Sequence, residues 1–92
     1  MKVRWSARAE RDLVQIADYV ALDDIDAAIE WSDKLRDRAR RAASMPRAGR
    51  IVPESGRDDV REVFLHAYRI IYRIEPTRLV VLAVLEGHRR DA

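Results

Sequence analysis

Apolar residues alternate with polar ones at the start of the chain and then recur with helical spacing. The alternation over residues 2–5 predicts a short strand with Val3 and Trp5 facing inward. Ser6 is a favourable N-cap residue, and it predicts a helix that begins there and continues to about Leu22. One apolar stripe follows this helix: Ala9, Leu13, Ile16, Ala17 and Val20. The stripe indicates an amphipathic helix that covers a core.

A second amphipathic helix is predicted from about Ile25 to Ala43. The pair Asp23-Asp24 interrupts the first pattern and can cap the new helix. Its predicted apolar face contains six residues: Ile25, Ala28, Ile29, Leu35, Ala39 and Ala42. Acidic residues are concentrated in its first half and basic residues in its second half, which complements the helix dipole. The two helices therefore form a helical hairpin joined by an acidic turn.

The apolar period changes from about 3.6 residues to about 2 in the second half of the chain. The segment 46–59 contains two prolines and two glycines and is predicted to be an irregular loop. Alternating segments at Val60–Leu65, Tyr68–Glu75 and Arg78–Glu86 then predict three antiparallel strands. The expected fold is a single α+β domain over residues 1–92, ordered β-α-α-β-β-β, with both helices on one face of the sheet.

The pairing of the last two predicted strands shows which residues lie on each face of the sheet. If Glu75 pairs with Arg78, the helix-facing pairs are Ile74 with Leu79, Tyr72 with Val81, and Ile70 with Ala83. The pairs on the second face are Arg73 with Val80, Ile71 with Leu82, and Arg69 with Val84. One helical layer covers only one face, so the second face exposes these apolar residues between the two arginines and is expected to bind a partner. Two alternatives stay open, in which the 46–59 loop folds over this face or the register is off by one.

The composition excludes several kinds of chemistry. The chain has no cysteine, which excludes disulfides and thiolate catalysis, and its two histidines are in different segments, so neither a metal nor a cofactor is expected. The net charge is +2, and sixteen of the eighteen basic residues are arginine, which permits a nucleic-acid partner without requiring one. No apolar run is long enough to span a membrane, and no signal-peptide pattern is present, so we expect a cytoplasmic protein.

Several segments have the order and spacing of a known family. They are Val3-Arg4-Trp5-Ser6-Ala7, Ala9, Asp12-Leu13, Ile16, Tyr19, Gly49-Arg50-Ile51-Val52-Pro53-Glu54, Val60-Arg61-Glu62, Tyr68-Arg69-Ile70-Ile71-Tyr72-Arg73 and His88-Arg89-Arg90. Together they resemble the ParE/RelE toxin superfamily over nearly the whole chain, and the ParE branch of plasmid-stabilisation toxins most. The resemblance implies a type II toxin that is neutralised by an antitoxin whose C-terminal segment wraps it. ParE-like members poison DNA gyrase, whereas RelE-like members cut messenger RNA on the ribosome.

A RelE-type nuclease needs an acid, a base and cations around the scissile phosphate. On the RelE pattern, the candidates in this chain are Arg61, Arg69, His88 and Arg89. The set is incomplete, because His88 is followed by an arginine and no tyrosine follows the last predicted strand. Glu62 is expected to form a cross-strand salt bridge, and Tyr68 and Tyr72 are expected to pack in the core.

The favoured function is therefore inhibition of DNA gyrase by protein binding, without catalysis. We expect a ParD-like antitoxin to form a hetero-oligomer with the chain through the second face of the sheet. The basic residues His88, Arg89 and Arg90 are expected to contact the target, with neither membrane binding nor sequence-specific binding to nucleic acid. Two other functions stay open: a ribosome-dependent messenger RNA endonuclease, and either a binding module without toxicity or a basic protein whose partner is nucleic acid.

Overall fold

The computed structural model describes residues 1–87, and within them the chain forms a five-stranded sheet with two long helices on one face. The elements in chain order are β1 (Lys2–Trp5), α1 (Ala7–Ala21), α2 (Ile25–Ser44), a 3-10 turn (Pro46–Ala48), β2 (Arg50–Ile51), β3 (Val60–Leu65), β4 (Tyr68–Ile74) and β5 (Arg78–Glu86). The strands lie in the order β1-β5-β4-β3-β2. β1 runs parallel to β5, and the other neighbours are antiparallel. The predicted α+β class is confirmed.

Side chains in two turns set where the helices begin. Ser6 Oγ accepts a hydrogen bond from Ala9 N at 3.0 Å, and Asp24 Oδ1 accepts one from Ala27 N at 3.1 Å. Both predicted N-caps are therefore confirmed. The buried stripe of α1 includes Ala9 and Leu13. The predicted stripe of α2 is buried at four positions: Ala28, Leu35, Ala39 and Ala42.

Two residues of the predicted apolar face of α2 do not face the core. Ile25 and Ile29 are 68% and 59% exposed. Ile29 follows the buried Ala28 by one residue, which places it about 100° around the helix axis from the buried stripe. The prediction for these positions is wrong because Leu35 and small alanines make the contact with the core, and the isoleucines lie on the flank of that stripe. An apolar residue on the flank fits the helical pattern as well as one that faces the core, so the pattern does not distinguish a flank position from a core position.

β2 lies inside the segment predicted to be an irregular loop. Its residues Arg50 and Ile51 pair with Glu62 and Arg61 of β3, and the 3-10 turn precedes it. Two residues are too few to create a visible alternation, so the strand has no signature in the sequence. The loop prediction is wrong for these two short elements.

β5 contains one residue more than the predicted hairpin allows. The pairs up to Tyr72 with Val81 are as predicted, but the register then shifts. The following pairs are Ile71 with Ala83, Ile70 with Val84, and Arg69 with Leu85. Leu82 is the extra residue of this β-bulge. Val84 consequently lies on the helix side, where it is buried in the core, and its predicted place on the second face is wrong.

The core lies between the helical hairpin and the sheet. Its largest fully buried apolar side chains are Tyr72, Leu35, Ile70, Leu79 and Val81. The Tyr72 hydroxyl donates a hydrogen bond to the Pro46 carbonyl oxygen. Gly49 lies so close to this hydroxyl that a Cβ atom there would clash with it. Tyr68 packs against the same core, so the expectation for both tyrosines is confirmed. Neither of the described helices has the length and apolar character needed to cross a membrane.

Candidate interaction surfaces

The face of the sheet opposite the helices carries arginines rather than an open apolar patch. Val80 is 5% exposed, and Ile71 and Leu82 are half-buried. Val80 pairs with Arg73 of β4 and with Arg4 of β1, and arginine stems at such neighbouring positions cover apolar side chains. The predicted exposure of a large apolar patch is therefore wrong. The apolar residues that remain on this face lie between long cationic side chains.

Glu62 is the centre of a buried ion-pair network that links three strands. Its side chain has 0% exposed surface. Oε2 accepts hydrogen bonds from Arg50 of β2 at 2.6 and 2.8 Å, and Oε1 accepts one from Arg69 of β4 at 2.8 Å. The predicted cross-strand salt bridge of Glu62 is confirmed. A fully buried carboxylate whose two oxygens both accept hydrogen bonds from arginines is not accessible to a substrate, so Glu62 is poorly placed to act as a general base.

The network keeps the guanidinium group of Arg69 charged and holds its side chain in one orientation. Burial by itself lowers the pKa of its guanidinium, but the hydrogen bond and charge of Glu62, with smaller contributions from Glu54, raise that pKa above its usual value. Glu54, in the segment between β2 and β3, lies 3.4 Å from Arg69. An arginine held in this way can recognise an anionic group with little further loss of side-chain entropy.

A second ion-pair network lies at the turn between β4 and β5. Arg73 and Arg78 each donate to a different oxygen of the Glu75 carboxylate, at 2.7 Å. The hydrogen bonds of Arg78 and then of Arg73 lower the pKa of this carboxyl. Arg78 was not predicted as a site residue, although the expected pairing of Glu75 with Arg78 was a signal for it.

The two described members of the alternative nuclease set lie on opposite faces of the sheet. Arg61 is adjacent to Glu62 in β3, so the two side chains point to opposite sides, and Glu62 is the residue that bonds to Arg69. Arg61 instead donates to Asp58 Oδ1 at 2.7 Å and to backbone carbonyl oxygens of the segment before β2. The structure therefore does not bring Arg61 and Arg69 together. Within residues 1–87, no group of three or more metal-ligating side chains occurs.

The residues predicted to contact the target, His88, Arg89 and Arg90, lie outside the described residues. The last described residue, Gly87, donates a backbone hydrogen bond to the Ala67 carbonyl oxygen at 2.8 Å. Ala67 lies in the turn between β3 and β4, where the rings of His66 and Tyr68 pack at about right angles to Trp31, with centroid distances of 5.2 and 5.5 Å. Gly87 thus lies beside this aromatic cluster.

A groove of about 330 Å³ lies between α1 and the end of β5. β1 ends at Trp5, and beyond it side chains, instead of a strand, form hydrogen bonds with the backbone at the edge of β5. Ser6 Oγ donates to the Leu82 carbonyl oxygen at 3.2 Å, and Asp12 Oδ2 accepts from Val84 N at 2.9 Å. The sequence gives no local signal for this role of Asp12, because its partner is 72 residues away along the chain.

Comparison with known proteins identifies the family. A sequence model described as "ParE toxin of type II toxin-antitoxin system, parDE" matches residues 3–91. The chain belongs to the ParE toxin family. A chain of the solved structure of the chromosomal ParDE TA system from P. aeruginosa has the same fold, with a TM-score of 0.78 and 21% sequence identity. The alignment covers 96% of this chain and 97% of that one. No curated protein sequence matches significantly.

The ParE assignment confirms the resemblance found in the sequence. Three of the segments that carry the resemblance contain Arg50, Glu62 and Arg69. In this ParE toxin, those three side chains meet in the buried ion-pair network. Three of the segments that carry the resemblance to ParE therefore come together on one face of the folded sheet.

Proposed function

We propose that this ParE toxin inhibits DNA gyrase by binding to it, without catalysis, and that a ParD-like antitoxin neutralises it in the cytoplasm. The proposal rests on the contacts that the charged side chains of the sheet make with one another. Glu62 is held by Arg50 and Arg69, and Arg61 lies on the other face. A set of groups for acid–base cleavage of RNA is therefore not assembled among the described residues. Membership of the ParE family supports the role of a toxin.

We assign the antitoxin to the arginine face, which we define by Arg4, Arg50, Arg69, Arg73 and Arg78. Carboxylates of the antitoxin's C-terminal segment pair with Arg69 and Arg73. Its apolar side chains enter between the arginines, at the half-buried Ile71 and Leu82 and the neighbouring Val80. The ion pairs that already hold these arginines reduce the entropy lost on binding, which favours a stable hetero-oligomer.

The substitution Leu82→Glu tests the antitoxin surface. A carboxylate at the centre of an apolar contact is expected to weaken the complex more than tenfold, because central anchors carry most of the binding energy. Ile51→Glu, on the edge strand β2 and 39% exposed, is the matched control and should retain the wild-type affinity. Isothermal titration calorimetry measures both, with melting curves to check folding. An unchanged affinity for the Leu82 variant moves the antitoxin to another surface.

The target is tested by a gyrase supercoiling assay beside an assay of messenger RNA cleavage on ribosomes. We expect inhibition in the first and no cleavage in the second.

Replacing Arg89 and Arg90 by glutamate should abolish growth inhibition with a nearly unchanged melting temperature, because charged residues at the rim contribute to capture and orientation. His88→Ala should retain most of the toxicity, since binding requires no proton transfer. Loss of toxicity in His88→Ala together with cleaved messenger RNA would instead support a RelE-type endonuclease.

A further inference from the structure

Glu54 is carried by a short turn between β2 and β3 that its own backbone holds in shape. Val52 anchors the turn, because it is buried and its N–H donates to the Val60 carbonyl oxygen at 3.2 Å. The Val52 carbonyl oxygen accepts hydrogen bonds from Ser55 N at 3.1 Å and from Gly56 N at 3.0 Å. Gly56 has a φ of 66°, a conformation that glycine adopts without strain. None of these hydrogen bonds involves the Glu54 side chain, so the turn does not require it.

Arg69 has a strong partner on its inner side and a weak one on its outer side. Its Nε and Nη2 atoms lie 2.8 and 2.7 Å from Oε1 of the buried Glu62. Nη2 also lies 3.4 Å from each of the two Glu54 oxygens. Charge-assisted hydrogen bonds of this kind are normally about 2.7–2.9 Å long, so the contact with Glu54 is weak. Within residues 1–87, Nη1 of Arg69 has no hydrogen bond and remains available as a donor.

The charges of this network balance only while Glu54 takes part in it. The guanidinium groups of Arg50 and Arg69 share the single buried carboxylate of Glu62. Glu54 supplies a second carboxylate from the outer side. Its own backbone N–H and then the charge of Arg69 lower the pKa of the Glu54 carboxyl, so the group is ionised at neutral pH. Withdrawal of Glu54 would therefore leave Arg69 with the charge and the donor for one further anionic group.

Glu54 is easily displaced, whereas Arg69 is not. The Glu54 side chain is 68% exposed, and exposed ion pairs contribute little to stability. Arg69 is only 18% exposed and stays bound to Glu62 when Glu54 moves away. A carboxylate that reaches both Nη1 and Nη2 can form two parallel hydrogen bonds with the guanidinium group. Such a carboxylate binds Arg69 better than Glu54, which has long contacts to one nitrogen.

We propose that Glu54 occupies, in the free toxin, the site on Arg69 that a carboxylate of the antitoxin's acidic segment takes in the complex. This inference rests on the proposed function. Glu54 is thus an internal competitor of the antitoxin. On binding, its side chain turns into solvent, and the turn that carries it stays in place. The incoming carboxylate donates nothing and accepts hydrogen bonds from Nη1 and Nη2, which restores the balance of charge on Arg69.

A single carboxylate suits this site better than a nucleic-acid backbone. A phosphate backbone brings a row of negative charges, and its binding depends on contacts with many unpaired cations. Here the carboxylates of Glu62 and Glu75 already hold the arginines beside the site. The half-buried Ile71 and Leu82 lie on the same face and favour a ligand that also has apolar side chains. A peptide segment with scattered carboxylates combines both properties.

The test is the affinity of the full-length cognate antitoxin for variants of the full-length toxin, from association and dissociation rates measured by surface plasmon resonance. Glu54→Gln keeps the size of the side chain and removes the competing charge. We expect the affinity to rise about two- to fivefold, the range for loss of an exposed ion pair. Asp58→Asn is the matched control. Asp58 lies in the same segment and is 67% exposed, but it pairs with Arg47 and Arg61, so the affinity should stay at the wild-type value.

A double-mutant cycle shows whether the gain acts through Arg69. Arg69→Lys keeps a positive charge beside Glu62 but lacks the guanidinium fork for which the two carboxylates compete. This substitution should itself weaken antitoxin binding. Glu54→Gln in the Arg69→Lys background should bring no gain in affinity, because the shared site no longer exists.

The outcomes separate this inference from the proposed function. If the wild-type toxin does not bind the antitoxin, the proposed function is wrong and this inference fails with it. If it binds, and Glu54→Gln binds equally well or more weakly, only the internal competitor is wrong. Equal gains for Glu54→Gln and Asp58→Asn, or a gain that persists in Arg69→Lys, would show a general effect of charge and overturn the inference. A gain in affinity for duplex DNA and not for the antitoxin would overturn it as well. Melting curves establish that all variants are folded.

Discussion

Glu62 is buried even though a carboxylate is costly to remove from water. Both of its oxygens accept hydrogen bonds from arginines, and no buried side-chain nitrogen or oxygen among the described residues lacks a partner, so the cost is offset. The salt bridge was predictable because Glu62 lies on a strand beside cationic neighbours. Its complete burial was not, because one of its partners, Arg50, lies in a segment whose sequence resembles a loop.

The substitution Glu62→Gln measures what the buried carboxylate contributes. Glutamine keeps one acceptor oxygen but no negative charge, so Arg50 and Arg69 lose charged partners. We expect the free energy of unfolding to fall by about 1–3 kcal/mol. Glu54→Gln is the control, because Glu54 is exposed and lies at 3.4 Å from Arg69, and it should leave the stability nearly unchanged. Equal effects of the two substitutions in urea titrations would contradict a structural role for the burial.

At the scale of elements, each helix contacts the core through a narrow stripe of buried residues. A residue next to a buried one in the sequence can therefore be exposed. Leu13 is buried at 3% exposure and Val14, the next residue, is 56% exposed. Leu13→Ala should lower the free energy of unfolding by about 2–5 kcal/mol, because it leaves a cavity in the core. Val14→Ala should change it by less than about 0.5 kcal/mol. Denaturant titration of the two variants checks this, and similar losses would show that the helix is rotated about its axis.

The ion pairs of the loops and turns predict how the elements respond to acid. Hydrogen bonds from arginines lower the carboxyl pKa values of Asp58, Asp59 and Glu75, chiefly through Arg47, Arg57 and Arg78 respectively. A carboxyl with a lower pKa in the folded state binds fewer protons there than in the unfolded state. Its contribution is therefore present above the unfolded pKa and is lost as the pH falls through the folded pKa.

Stability should accordingly decline as the pH is lowered below about 4.5, the range in which unfolded carboxyl groups take up protons. High salt should reduce this decline, because these pairs are exposed and screened. Thermal melting between pH 2 and 7 at two salt concentrations measures both effects. A melting temperature that is constant throughout this range would show that the pairs contribute nothing.

The sequence predicts long elements better than short or irregular ones. Both helices have repeated apolar spacing and capping residues, and the four strands β1, β3, β4 and β5 have apolar residues that indicate a strand, so the existence and most of the ends of these elements follow from the sequence. The bulge at Leu82 has no local signature, because every residue of β5 around it is apolar and any register looks acceptable. That single extra residue moved Val84 into the core and changed the composition of the candidate antitoxin surface.

At the scale of the whole molecule, the first and the last described strands, β1 and β5, are neighbours in the sheet. β5 lies between β1 and β4, and β1 has no other strand beside it in the described sheet. β1 therefore pairs only after residues 78–86 are available. Sequence order alone predicted the meander of the last three strands, but parallel pairing of the first strand with the last has no local signal.

A chain that stops before Arg78 tests the importance of this pairing. It lacks β5, so β1 and β4 both lose their neighbour and the core loses Leu79 and Val81. We expect this fragment to be unfolded, as judged by circular dichroism and by the absence of a cooperative melt. A fragment that stops after Gly87 keeps all five strands and should melt near the temperature of the full chain. A cooperative transition in the shorter fragment would contradict the central role of β5.

The position of β5 has a consequence for how the toxin is made. Before residues 78–86 leave the ribosome, a nascent chain has its helical hairpin but lacks the strand that completes the sheet. The arginine face is incomplete at that stage, because it lacks Arg78 and the strand that lies beside β4. The face that we propose for the antitoxin therefore forms late in folding during synthesis, because it is completed only after residues 78–86 are available, and an antitoxin already present in the cell can bind it as soon as it forms.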